Sequence, residues 1–230
     1  MTKTPLHHLI FGFIFFLLVA LDIYLSSTSH SFFRIVSKPF ILTSLIVYFF
    51  LNRKGMQKRS SQFTLMALVF SLVGDVFLLF DSVSELYFIL GLSSFLLAHI
   101  FYAFCFYTQR SSKNGLDLWI TTLLFTGYGF ALYSILYSYL GNIKIPVSIY
   151  ILAILIMILM AYKRKGNVSG NSFLLVFFGA LSFIISDSFL AINKFITPLP
   201  YSNLMVMGTY AIAQYLIIRG LIRDTHGDTH

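Results

Sequence analysis

Two aspartates lie deep inside apolar stretches in nearly the same local sequence: Asp75 in SLVGDVFLLF (residues 71–80) and Asp187 in SFIISDSFLA (residues 182–191). Each follows a small residue and precedes x-Phe-Leu. An ionised carboxylate in the middle of a bilayer costs about 2.5 kcal/mol or more, so such residues usually face a cavity or the bundle interior and mark function. Apolar surroundings favour the neutral carboxyl, and two neighbouring carboxyls push their titrations apart. A pair can therefore share one proton and act as acid and base, or relay protons.

Few other residues join them. His99 is the one histidine inside an apolar run, with Tyr102 at i+3 on the same helical face; Tyr210 and Gln214 pair at i and i+4. Asp22 lies near the end of the first apolar run, where it reads as solvated. His7, His8, His226 and His230 are terminal, and the single cysteine, Cys105, rules out a cysteine zinc cluster or an intrachain disulfide. No metal or organic cofactor is expected. There is no G-x-S-x-G elbow and no phosphate-binding glycine loop.

The elements that must position these side chains follow from composition. Of 230 residues 58% are hydrophobic and 10% charged, against about 25% charged in a soluble domain. The chain reads as an all-α, polytopic membrane helix bundle. Eight segments approach the roughly 20 residues a span needs: 7–25, 35–51, 62–80, 86–107, 118–140, 146–162, 171–192 and 201–219. The second and sixth open at Pro39 and Pro146, residues suited to a first helical turn. The N-terminal apolar run lacks a small-x-small cleavage site and reads as a retained helix.

The net charge of +8 fits membrane topology better than nucleic acid, because the basic residues fall in short loops. With a cytoplasmic N-terminus, Lys3, Arg53, Lys54, Lys58, Arg59, Arg110, Lys113, Lys163, Arg164, Lys165, Arg219 and Arg223 lie inside. Only Arg34, Lys38, Lys144 and Lys194 lie outside, so both termini are expected in the cytoplasm. The inner clusters read as topological determinants that touch anionic headgroups.

The chain also repeats itself. Lys38-Pro39 and Lys144-Ile-Pro146 open runs that end in Arg53-Lys-Gly55 and Arg164-Lys-Gly166. Gly55 to Asp75 is 20 residues and Gly166 to Asp187 is 21; Asp75 to Tyr102 and Asp187 to Gln214 are both 27. A single transmembrane domain of 4+4 spans is expected, with halves 1–115 and 116–222, a polar tail 223–230 and the site between the halves, as in repeat-built transporters. From the residues alone, a proton-coupled carrier of a small amphiphile and an enzyme remain open.

Lys38-Pro39, Gly74-Asp75, Ala98-His99 with Tyr102, Pro146 with Tyr150, Gly179-Ala180 before Ser186-Asp187, and Tyr210 with Gln214 together resemble the lysoplasmalogenase (YhhN-like) family, over roughly residues 38 to 218. The fifth span carries no family signature. The resemblance implies a multi-pass hydrolase that cleaves the vinyl ether bond of lysoplasmalogens to a fatty aldehyde and a glycerophospho-alcohol, with a lysophospholipid as its partner and Asp75 and Asp187 as its catalytic centre. Vinyl ether hydrolysis needs an acid to protonate the alkene carbon distal to oxygen, and a carboxylate to stabilise the oxocarbenium ion and activate water, much as in glycosidases. Asp187 is taken as the acid and Asp75 as the base, on the ground that Gly74 would admit water. His99, Tyr102, Tyr210 and Gln214 would orient water or substrate, and Lys38 would meet the headgroup phosphate.

Overall fold

A computed structural model describes residues 6–28, 31–112 and 115–225. Its eight long helices are α1 (Leu6–Ser26), α2 (Arg34–Asn52), α3 (Lys58–Leu78), α4 (Glu85–Thr108), α5 (Leu116–Leu136), α6 (Lys144–Lys163), α7 (Gly170–Phe195) and α8 (Ser202–Thr225). All eight are long and apolar enough to cross a membrane, and no strand occurs among the described residues. Helices suit this solvent because they satisfy every backbone N–H and C=O internally. Their outward faces are apolar, with Phe13, Leu17, Trp119, Leu123 and Phe130 among the most exposed side chains. Lys3, Lys113, His226 and His230 lie outside the described residues.

Local chemistry sets the ends. Ser84 and Ser169 accept hydrogen bonds from Leu86 N–H and Ser172 N–H, capping α4 and α7. Gly55 and Gly166, at φ of 88° and 81°, take the left-handed conformation in the turns after α2 and α6. Pro146 falls in the first turn of α6, as expected. Pro39 does not: α2 begins at Arg34, so Pro39 is within the helix and cannot donate to the carbonyl of Ile35. Arg223 belongs to α8, which runs on to Thr225.

Packing is tightest between α3 and α4 and between α7 and α8. Small residues allow it, as is usual between membrane helices. A Cβ at Gly179 would lie 2.9 Å from the carbonyl oxygen of Ala213 and the amide nitrogen of Ile217, so α7 and α8 meet backbone to backbone there. A Cβ at Gly74 would lie 2.7 Å from the Phe95 ring. That position is filled by Phe95 and not by water, which removes the reason given for Asp75 as the base. Across the halves, α4 packs on α6, and α1 and α2 pack on α8, giving one body.

His8, Tyr48 and Arg219 meet at one end of the bundle: Tyr48 Oη lies 2.6 Å from His8 Nδ1 and accepts from Arg219 at 2.9 Å. His8 is therefore a buried packing residue, and the start of α1 and the end of α8 share this end. At the opposite end, Lys194 reaches Asp81 at 3.4 Å. Arg164 departs from the reading of the basic loops. It is fully buried and donates to Gln109 Oε1 (2.9 Å), Ser172 Oγ (2.8 Å) and Ser172 O (3.3 Å), tying α6 to α7 and to the residue after α4.

Candidate active site

Asp75 and Asp187 each lie 17 residues after the first residue of their helices, Lys58 and Gly170, about 25 Å along the axis at 1.5 Å per residue. Each is held by a tyrosine. Tyr210 Oη donates to Asp75 Oδ2 at 2.9 Å, and Tyr150 Oη donates to Asp187 Oδ2 at 2.7 Å. Each also has a basic neighbour just beyond hydrogen-bond contact or at its limit. Lys38 Nζ is 3.6 Å from Asp75 Oδ1, and His99 Nε2 is 3.5 Å from Asp187 Oδ2. Asp75 is 2% exposed and Asp187 15%.

Each carboxyl has its own partners, Tyr210 and Lys38 for Asp75 and Tyr150 and His99 for Asp187. They are linked through a cluster of rings. Phe183 lies edge-on to both His99 and Tyr210, at 4.6 and 5.5 Å between centroids, and His99 lies edge-on to Tyr150 at 5.2 Å. His99 is fully buried, and neither ring nitrogen has a hydrogen-bond partner among the described residues. An orphaned imidazole beside a carboxyl is costly in a packed interior. It is available to a group that would complete the site.

Tyr102 and Gln214 bond each other. Tyr102 Oη donates to Gln214 Oε1 at 2.6 Å, and Gln214 Nε2 donates to Ser71 Oγ at 2.9 Å and approaches Tyr210 Oη at 3.4 Å. This buried chain positions Tyr210, and through it Asp75. Neither Tyr102 nor Gln214 touches a carboxyl. Asp22 is not solvated: it is fully buried, accepts from Ser37 Oγ at 2.6 Å and faces Arg34 at 3.6 Å.

Tyr150 is the site residue that the sequence reading left out of the constellation. A signal for it existed. Tyr150 precedes Asp187 by 37 residues, and Lys38 precedes Asp75 by the same 37. Both pairs meet in space.

Two cavities approach the carboxyls. A narrow apolar groove of about 50 Å³ runs between α4, α5, α6 and α7, with Asp187, Tyr150 and Ser188 as polar points among Leu132, Val147 and Ile154. Tyr128 Oη and Ser188 Oγ, 2.6 Å apart, join α5 to α7 beside Asp187. The second cavity is an open vestibule of about 580 Å³ at the Lys38 end of the bundle, lined by Arg34, Lys38, Asp81, Asn193 and Asn203. Leu190, one turn beyond Asp187 on α7, lines both. No group of three or more His, Cys, Asp or Glu side chains suited to a metal occurs among the described residues.

Fold and site together define a multi-pass helical membrane protein with two tyrosine-held carboxyls in its interior. Residues 33–221 match the YhhN family, and the chain belongs to it. Human lysoplasmalogenase TMEM86A is 35% identical over 167 residues, 71% of this chain and 66% of that protein. Human lysoplasmalogenase TMEM86B is 33% identical over 158 residues, 69% and 62% of the two chains. Bovine lysoplasmalogenase TMEM86A is 33% identical over 154 residues, 65% and 61%. The aligned segment thus spans slightly less than two thirds of the length of these relatives. No solved structure matches.

Proposed function

We propose that this protein is a membrane-embedded hydrolase that cleaves the vinyl ether bond of lysoplasmalogens, releasing a fatty aldehyde and a glycerophospho-alcohol. The observation that carries the reading is Asp187, a carboxyl in the wall of an apolar groove, backed by Tyr150 and an unpartnered His99. The lysoplasmalogenase names of the relatives agree with it.

In this reading the alkenyl chain occupies the groove and the glycerophosphate end lies towards the vestibule. Protonated Asp187 gives its proton to the alkene carbon distal to oxygen, and an oxocarbenium ion forms. Asp75, beside Lys38 at the vestibule end, takes a proton from water as that water adds to the cation. The hemiacetal then collapses to aldehyde and alcohol, one water is consumed, and the proton gained by Asp75 is passed to solvent while Asp187 takes one back, which restores both carboxyls. The groove and the vestibule replace Gly74 as the reason for giving the acid role to Asp187 and the base role to Asp75. His99 faces the acid, and Tyr150 and Tyr210 orient the two carboxyls.

Two further readings belong to this proposal. A 4+4 duplication is supported by matched pairs in the two halves: Arg53 donates to Ser61 Oγ at 3.2 Å and Arg164 to Ser172 Oγ at 2.8 Å, each eight residues on, beside the left-handed Gly55 and Gly166. Placement of the Arg53–Arg59 end in the cytoplasm follows the positive-inside rule, which for a bacterial protein means the inner membrane.

Purified protein in detergent, given a lysoplasmalogen, tests the function: aldehyde is expected in stoichiometric amount with the glycerophospho-alcohol. A proton-coupled carrier built on the same carboxyls would release none, and would instead move its cargo in sealed vesicles under a proton gradient.

A further inference from the structure

Beyond the reacting carboxyls, the vestibule carries both signs of charge on separate walls. Arg34 stands at the start of α2 and Asp81 just past the end of α3. Arg34 is held from behind: Asp22, fully buried and fixed by Ser37, faces its guanidinium at 3.6 Å, too long for a hydrogen bond. The Arg34 side chain is 19% exposed; its Nε is buried without a hydrogen-bond partner, so what it offers the vestibule is its terminal nitrogens. The guanidinium therefore has donors to spare, in the planar fork that suits phosphate. Lys38 is less accessible, its side chain 8% exposed against 19% for Arg34, and it stands beside the proposed base Asp75. Asp81 is 40% exposed, and its partner Lys194 reaches it only at 3.4 Å; an exposed pair of this kind is weak and readily exchanged. Asn193 and Asn203 add neutral polar groups.

We propose that the vestibule is a subsite for a zwitterionic phosphodiester headgroup, in which Arg34 takes the phosphate and Asp81 the ammonium. It rests on the lipid-hydrolase reading above, and places the glycerol backbone across Leu190, which walls both the vestibule and the apolar groove. Asp22 and Ser37 are positioning residues that aim Arg34.

Lipids with a saturated ether chain, which cannot be cleaved as vinyl ethers, separate binding from turnover. Native mass spectrometry of the full-length protein would titrate hexadecyl-glycerophosphocholine, hexadecyl-glycerophosphate and hexadecylglycerol, with inorganic phosphate as competitor. Asp81→Asn is expected to weaken the phosphocholine lipid about tenfold, about 1.4 kcal/mol, and to leave the phosphate lipid unchanged. Asp22→Asn with Arg34→Gln, a neutral pair that strands no buried charge, is expected to weaken both phosphorylated lipids about tenfold and to leave hexadecylglycerol unchanged. Equal losses for all three lipids, or no loss, would overturn the subsite. So would displacement of the lipid by millimolar inorganic phosphate, which would mark a site for the free anion. Intact discrimination without aldehyde release would overturn the hydrolase and leave the subsite standing.

Discussion

Asp187→Asn is the substitution that bears most directly on the two-carboxyl chemistry. The change is isosteric: with its amide oxygen in the place of Oδ2, the variant still accepts from Tyr150 Oη, 2.7 Å away in the native protein, and keeps that oxygen 3.5 Å from His99 Nε2, which donates in one tautomer. Packing against Tyr150 and Ile184 is retained, so the melting temperature is expected to shift by only a few degrees, as for a loss of about 1 kcal/mol. What the amide lacks is an acidic proton. Positioned acid catalysis contributes about 10²- to 10⁴-fold, or about 2.7–5.5 kcal/mol at 1.36 kcal/mol per decade. Aldehyde release from a lysoplasmalogen, followed through a coupled alcohol dehydrogenase, should fall by that factor in kcat, with KM little changed. Asp75→Asn should act similarly on kcat, because it removes the base. Turnover within tenfold of the native protein for a folded Asp187→Asn variant would refute the assignment of the acid.

Further outcomes follow from the same contacts. Tyr150→Phe removes a hydrogen bond to a carboxyl worth about 1.5–3 kcal/mol, so kcat should drop about 10- to 100-fold in steady-state kinetics, with Tyr210→Phe weakening Asp75 in the same way. Gly179→Ala forces a Cβ to within 2.9 Å of α8 backbone and should destabilise by about 1–3 kcal/mol; Gly208→Ala, with nothing within 4 Å, should stabilise by about 0.4–1 kcal/mol, both read from unfolding in detergent. Arg164→Met removes three hydrogen bonds from a buried guanidinium and should cost on the order of 3 kcal/mol in the same measurement. Ser82→Cys and Lys54→Cys should be labelled from opposite sides of sealed vesicles, with the buried native Cys105 silent; labelling from one side would refute the topology.

Hydropathy alone delivered the eight spans, because an unpaired backbone group in lipid is so costly that only a long apolar helix can cross. It also delivered the two aspartates, since a carboxyl stands out wherever desolvation is expensive. Helix ends were less legible. α3 starts at Lys58, four residues before the apolar run, because Ser60, Ser61 and Thr64 are buried against α4 and the α2–α3 turn rather than solvated. Polar residues at an interface look alike in sequence whether they face water or a neighbouring helix.

Partnership was decided only by tertiary structure. Asp75 takes its hydroxyl from Tyr210, 135 residues away, and Asp187 from Tyr150, 37 residues away. Tyr102 and Gln214, placed on the right faces by their spacing, turned to each other and not to the carboxyls. Burial of Asp22 and Arg164 likewise depends on which helices lie against them. The 3.6-residue period fixes which side chains share a helix face, but not which neighbour that face meets. That choice comes from close approach at residues such as Gly74, against the Phe95 ring, and Gly179, against the α8 backbone, and it sets Leu190 between the groove at Asp187 and the vestibule at Lys38. The sequence alone thus determined two costly carboxyls at matched depth; the packing of eight helices decided that one meets an apolar groove and the other, through Lys38, a polar vestibule.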